Sequence, residues 1–255
     1  MALYAATGVI LRRIPLGEKD KIVTVYTRER GKVRAVAKGA RKTTSKLAGG
    51  SEPLMLIRAL LSEGQNLDVV SQSEVRESFP LIRGEWERFL RATYACELLD
   101  RLTEEADPEE GVFELLLNTL YTLQRAEQPD LALHAFELHL MARVGYEPQL
   151  ISCVRCENPW EPPDFVPVAY SPVMGGALCE GCADASREDL LACSSATVAL
   201  LLTLATLTEP KALAALTTDP ATLKQSNRVL RAHLKLRLER AVKSTEFLDA
   251  MRLEE

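Results

Sequence analysis

The chain has 255 residues, of which 47% are hydrophobic and 26% charged, with a formal net charge of −5. That apolar share supplies the core of one large or two smaller domains and excludes wholesale disorder. The most apolar run, Val198 to Leu207, is interrupted by Thr203 and Thr206 and is too short to span a bilayer, and Met1 to Ile10 lacks the charged start of a secretory signal. The expected location is the cytoplasm, with no membrane partner.

Charge is distributed unevenly. Residues 1–80 hold 14 Lys+Arg and 8 Asp+Glu, a net of +6, whereas residues 81–255 hold 17 and 28, a net of −11. A basic end on an acidic chain points to a binding face. Within residues 1–80, five runs rich in Val, Ile, Leu, Thr and Tyr are separated by turn signals at Pro15-Leu16-Gly17, Arg30-Gly31, Gly49-Gly50 and Gly64-Gln65-Asn66. Five short strands in that length predict a small closed barrel of the OB type.

The third run, KVRAVAKG, alternates. Lys32, Arg34 and Lys38 are expected on one face, and Val33, Ala35 and Ala37 on the core face. The loop that follows adds Arg41, Lys42 and Lys46, so that six cations and no anion lie between Lys32 and Lys46. A charge run is often a solvated strand face with a flexible loop. The lack of any interleaved acid, on a fold type that binds nucleic acid, favours a phosphate-binding site. The segment is not a phosphate loop of the G-x-x-x-x-G-K-[ST] kind. Only Tyr4, Tyr26 and Phe79 are aromatic in the first eighty residues, so binding would rest on phosphate charge more than on base stacking.

From Gly84 onward the pattern is helical. Trp86, Phe89, Leu90, Tyr94, Leu98 and Leu102 recur at helical spacing. Asp107-Pro108-Glu109-Glu110 reads as a helix start, with Asp as cap and Pro in the first position, leading into Val112 to Arg125. A further helix is expected from about Asp130 to Val144, ending at Gly145. Beyond the cysteines, Ser194 or Ser195 opens a helix to about Thr208, and Asp219-Pro220 opens a long one to about residue 250.

Between these helices lie two C-x-x-C knuckles, CVRC at Cys153 and Cys156 and CEGC at Cys179 and Cys182. Each knuckle turns two thiolates toward one ion, and two knuckles complete a tetrahedral shell. One Zn2+ held by Cys153, Cys156, Cys179 and Cys182 is the expected cofactor. With four cysteines filling the shell, its role is structural rather than catalytic. A redox dithiol and a pair of disulfides are the competing explanations. The first usually stands alone near a βαβ unit and the second implies an oxidising compartment. The intervening stretch carries Pro159, Pro162, Pro163, Pro167 and Pro172, so it is expected as irregular loop or short hairpins pinned by the metal. Cys96 and Cys193 are left over as small core residues.

Lys224, Arg228, Arg231 and Lys235 follow at steps of four, three and four and share a face of the last helix. A solvated face explains them as well as a second anion site does. His134, His139 and His233 form no metal or triad motif, and neither a tight acidic cluster nor a G-x-S-x-G is present. Besides a DNA-binding protein, an RNA-binding OB/zinc-ribbon protein and a metal-dependent nuclease are the alternative readings, the latter without a carboxylate cluster to support it.

Two stretches carry a resemblance. GEKDKIVTVYTRERGKVRAVAKGARKTTSKL, from Gly17 to Leu47, resembles the N-terminal region of the bacterial recombination mediator RecO family. YSPVMGGALCEGC, from Tyr170 to Cys182, resembles the zinc segment of that family's zinc-bearing branch. The resemblance covers essentially the whole chain, although the helical part matches only in length and general pattern. One departure is Leu16, where the family often has Tyr before Gly-Glu. The resemblance implies an α+β protein: an OB-type barrel over 1–80, then a helical domain over 81–255 with a zinc module at about 150–185. It implies a non-catalytic protein that binds single- and double-stranded DNA without sequence specificity and anneals complementary strands. Its partners would be RecR, single-strand-binding protein and, indirectly, RecA, at the nucleoid. Lys32, Arg34, Lys38, Arg41, Lys42 and Lys46 are then the expected DNA contacts. Arg228, Arg231 and Lys235 become candidates for a partner site, facing the acidic tail of single-strand-binding protein.

Overall fold

A computed structural model describes residues 2–109, 111–186 and 189–237. The five expected strands are β1 (Leu3–Leu16), β2 (Asp20–Thr27), β3 (Gly31–Ala37), β4 (Leu56–Ser62) and β5 (Asp68–Glu77). They close into a barrel in the order β1-β2-β3-β5-β4. Every pairing is antiparallel except β3 with β5. Ala6, Ile10, Val23, Val25, Val33, Ala35, Ile57, Leu61 and Val70 fill the interior. The β1–β2 register shifts between Ile10 and Arg12. A bulge there increases the local twist of a strand long enough to reach beyond the barrel.

Helices α1 (Pro80–Gly84), α2 (Trp86–Leu102) and α3 (Val112–Leu123) follow. The end of α2 lies against the outside of the barrel, where Arg12 Nε meets the Asp100 carboxylate at 2.6 Å. The chain leaving α2 runs along β3, and Ala106 N–H donates to the Lys32 carbonyl at 2.9 Å. It then passes so close to the β2–β3 turn that a Cβ on Gly31, whose φ is +62°, would sit 2.4 Å from the Asp107 carbonyl oxygen. Only glycine fits there. This passage also overrides the helix start expected at Asp107-Pro108. Those residues serve as a strap over the barrel, and α3 begins later, behind Gly111 with φ +77°.

Because α2 packs on β1, the first compact unit runs on to Gln124, past the 80/81 boundary expected from composition. The second begins at Arg125. Its helices are α4 (Pro129–Arg143), α6 (Ser195–Thr206), α7 (Pro210–Ala215) and α8 (Pro220–Arg237). Serine and aspartate caps open two of them. Ser194 Oγ accepts from Thr197 N at 3.3 Å, and Asp219 Oδ1 accepts from Ala221 N and Thr222 N, both at 3.0 Å. Helix α4 is buried on nearly all sides and packs on α6 and α8. The part of the last helix expected past Arg237 lies outside the described residues. Between α4 and α6 sits a small module of β6 (Pro167–Ser171), β7 (Gly176–Cys179), α5 (Glu180–Asp184) and β8 (Leu191–Ala192), with strand order β7-β6-β8. Among the described residues no helix is long and apolar enough to cross a membrane.

Candidate metal centre and nucleic-acid interface

The first knuckle is a tight turn. Glu157 N–H donates to the Cys153 carbonyl at 2.8 Å and Cys153 N–H to the Asn158 carbonyl at 3.0 Å. The second is a strand end running into a helix: Cys179 ends β7 and caps α5, and Cys182 lies in its first turn. Val154 N–H donates to Ala177 O at 2.9 Å and clamps the first knuckle to β7. As a result the four sulfurs of Cys153, Cys156, Cys179 and Cys182 all lie within 4.8 Å of one another. A tetrahedral shell with metal–sulfur bonds of about 2.3 Å needs sulfurs about 3.8 Å apart, so the set fits one zinc-sized ion with little adjustment. Four mutually close sulfurs suit a single ion better than two separate disulfides. Trp160 and Phe165, stacked at 5.5 Å, pack with Ala169 and Leu178 around the buried sulfurs.

The thiols are unequal. Burial pushes Cys153 up, but the N–H groups of Cys156, Cys179 and Arg155 and the Cys156 thiol outweigh it and bring it down to about 6. Cys182 is pushed up to about 12 by burial and by the three neighbouring thiols. Cys153 therefore ionises readily, whereas Cys179 and Cys182, both pushed up by burial, resist until a cation offsets the repulsion between neighbouring thiolates. Away from this cluster, Cys96 and Cys193 are buried, and burial pushes each up to about 12.

The basic run divides. Lys38, Arg41, Lys42 and Lys46 are exposed on the loop after β3. Lys32 is not: it is 8% exposed, its ammonium donates to the Asp100 and Thr103 carbonyls at 2.6 and 2.5 Å, and the Asp100 carboxylate is 3.4 Å away. Strand alternation does put Lys32 on the outer face, but α2 covers that part of the face and the ammonium is used to hold the helix end. Arg34 is half-buried and meets Glu105 at 3.4 Å. The loop is anchored to the β1–β2 hairpin, where Arg41 N–H donates to Lys19 O at 2.9 Å and the Arg41 guanidinium to Gly17 O at 2.5 Å. This adds exposed Lys19 to the same positive end.

On α8, Lys224, Arg228, Arg231 and Lys235 are all exposed on one face, as their spacing predicts. Lys224 and Arg228, with Ala221 and Gln225, border an apolar depression of about 430 Å³ floored by Leu190, Leu191 and Ala192. Arg231 and Lys235 lie farther along the helix and do not line it.

Comparison with known families accounts for both halves of the chain. Residues 1–79 match the model described as "Recombination protein O N terminal" and residues 83–246 the one described as "Recombination protein O C terminal". The chain belongs to the RecO family. Similar relatives, each named "DNA repair protein RecO", include one from Roseiflexus sp. (strain RS-1), 39% identical over 98% of this chain and 86% of its own length. Another, from Symbiobacterium thermophilum, is 36% identical over 99% of both chains. A third, from Pelotomaculum thermopropionicum, is 38% identical over 98% of this chain and 94% of its own length.

Two features of this RecO-family chain have no signature in the sequence. One is Lys19, which joins the basic end only through the Arg41 contacts. The other is a latch between the cysteine module and α8. His233 Nε2 lies 2.7 Å from Tyr146 O, and since a carbonyl only accepts, Nε2 carries the proton. The other ring nitrogen, Nδ1, then accepts from the Tyr170 hydroxyl. Both side chains are fully buried, and burial, the Tyr146 contact notwithstanding, pulls His233 down to about 4. Nothing in the spacing of three histidines signals such a contact.

Proposed function

We propose that this protein is a non-catalytic recombination mediator in DNA repair. It binds single- and double-stranded DNA without sequence preference, anneals complementary strands, and together with RecR helps RecA load on DNA coated by single-strand-binding protein. It acts in the cytoplasm, at the nucleoid. The observation that carries the reading is the exposed positive end of the barrel, Lys38, Arg41, Lys42 and Lys46 with Lys19, in a chain of the RecO family. Arg34 stands at its edge, half-used by Glu105. Flexible cations on a loop neutralise phosphates without reading bases, and two neutralised strands can approach and pair.

Cys153, Cys156, Cys179 and Cys182 hold one zinc ion. The ion supplies cross-linking to a module too small to bury a core of its own. Arg228, with Arg231 and Lys235 on the same exposed face, forms the partner site. The depression beside Arg228 suits the acidic, aromatic-ended tail of single-strand-binding protein.

Titration of labelled single strands, duplexes and structured RNA, followed by annealing of complementary strands with and without RecR, tests the assignment. Salt-sensitive DNA binding and RecR-responsive annealing are expected. Preference for structured RNA, or magnesium-dependent nicking of a plasmid by the purified protein, would overturn it.

A further inference from the structure

The sheet of the cysteine module has an edge with main-chain groups to spare. β8 pairs with β6 through Tyr170–Leu191 and Ala169–Ala192, and Cys193 N–H donates to Val168 O at 3.2 Å. In an antiparallel ladder only alternate residues exchange hydrogen bonds with a given neighbour. Leu191 and Cys193 therefore spend their main-chain groups on β6, and those of Leu190 and Ala192 point to the opposite edge. Ser194, next in the alternation, shows the direction: its N–H donates at 3.0 Å to Gln225 Oε1 on α8. Among the described residues β8 is the last strand on that side of the sheet.

Helix α8 closes this edge at one point and leaves it open beside it. Gln225 holds Ser194, and its Oε1 also accepts from Thr197 Oγ1 at 2.7 Å. Next to Leu190, Leu191 and Ala192 lies the depression of about 430 Å³ bordered by Lys224 and Arg228. Ala192 is exposed and Leu190 half-buried. Both cations are exposed, and among the described residues neither has an acidic partner. Of the acids at this end, Asp219 is used to cap α8, and Asp189 stands beyond Leu190. Cations at an edge keep it from pairing with the same edge of a second copy. They do not account for the gap between edge and helix, which is apolar at its floor and cationic along its rim.

Spacing narrows the ligand. Lys224 and Arg228 are one helical turn apart, with Cβ atoms about 5–6 Å from each other. In an extended peptide, side chains two positions apart share a face and stand about 6.6 Å apart. Carboxylates at alternate positions therefore meet both cations. The residues between them turn away from the cations and gain nothing from charge, and β-branched apolar types suit an added strand there.

We propose that β8 accepts an extended acidic peptide as a fourth strand, in the order β7-β6-β8-peptide, with carboxylates at alternate peptide positions on Lys224 and Arg228. This rests on the reading of the depression as a partner site and names how the partner binds. Main-chain pairing to Leu190 and Ala192 supplies affinity, and the spacing of the charges selects the sequence.

The test titrates the full-length protein into fluorescein-labelled Val-Glu-Val-Glu-Val with blocked ends and follows anisotropy. Two companions carry N-methyl groups, one on both Glu nitrogens and one on the second and third Val nitrogens. Only one of these sets can face β8, so one companion should lose roughly tenfold in affinity and the other should bind like the unmethylated peptide. Lys224→Gln/Arg228→Gln, which changes exposed side chains only, should weaken the unmethylated peptide about tenfold and remove most of its salt dependence. A last probe has consecutive Asp residues ending in Phe. Methylated companions that behave alike, both retained or both lost, overturn strand addition and leave the partner site standing. So does binding of the consecutive-acid peptide in preference to the alternating one. Parent-like binding by the double Gln variant overturns the assignment to Lys224 and Arg228. Failure of the protein to bind either acidic peptide overturns the partner site and the added strand together.

Discussion

The ammonium of Lys32 and the carboxylate of Asp100 lie 3.4 Å apart beneath the last turn of α2, and the same ammonium takes the Asp100 and Thr103 carbonyls. A cation suits a helix C-terminus, where unpaired carbonyls gather partial negative charge. Lys32 therefore joins barrel to helix and is unavailable to phosphates.

Replacing it separates the two roles. Lys32→Ala leaves the Asp100 and Thr103 carbonyls without their donor and the Asp100 carboxylate with Arg12 alone, and should cost about 1–3 kcal/mol of stability in urea unfolding. The DNA affinity of the folded fraction should stay at the parent's value. A variant as stable as the parent but weakened in DNA binding would return Lys32 to the DNA contacts.

The exposed loop should behave in the opposite way. With four or five phosphates met by Lys38, Arg41, Lys42, Lys46 and Lys19, log K on single strands should fall with log salt at a slope of roughly −3. Arg41→Glu/Lys42→Glu/Lys46→Glu should weaken binding to all sequences alike and flatten that slope, with only a small change in thermal unfolding from loss of the exposed Arg41–Gly17 bond. Parent-like binding near physiological salt would move the site elsewhere, first to the cations of α8.

Metal analysis should find one zinc per chain in protein purified without chelators. Metal binding of this kind contributes on the order of 10 kcal/mol to local folding. Cys153→Ser/Cys156→Ser should therefore open residues 150–185 to protease while barrel-centred DNA binding persists. Protein free of zinc with that segment still protected would refute the metal role.

The His233–Tyr170 latch gives the second unit a pH dependence. His233 falls from its ordinary 6.5 to about 4 in the folded protein because it is buried. Protons thus bind the unfolded chain first. The stabilisation is complete above about pH 6.5, declines as the pH drops toward 4, and is gone below it, a loss of roughly 3 kcal/mol. His233→Gln should be less stable at pH 7 and should flatten this part of the unfolding profile relative to the parent. Parallel profiles for the two proteins would show that the ring titrates normally.

What the sequence determined by itself was the set of local rules. Alternation and turn residues marked five strands, Ser194 and Asp219 marked two helix starts, and the spacing of Cys153, Cys156, Cys179 and Cys182 marked a cluster of four thiols able to hold a metal ion, because each signal lies within a few bonds of its consequence. The tertiary structure decided what covers what. Asp107-Pro108 carries good capping chemistry, yet its backbone is drawn across Gly31 by packing, and the helix starts at Val112 instead. Lys32 and Lys38 look equivalent in the chain, but α2 ends over one and short of the other. Lys19 joins the basic end through a hydrogen bond to a residue 22 positions later. Leu190 and Ala192 border the same depression as Lys224 and Arg228 only once α8 lies beside β8. Burial and long-range pairing are properties of chain segments brought together, and one segment's composition does not contain them.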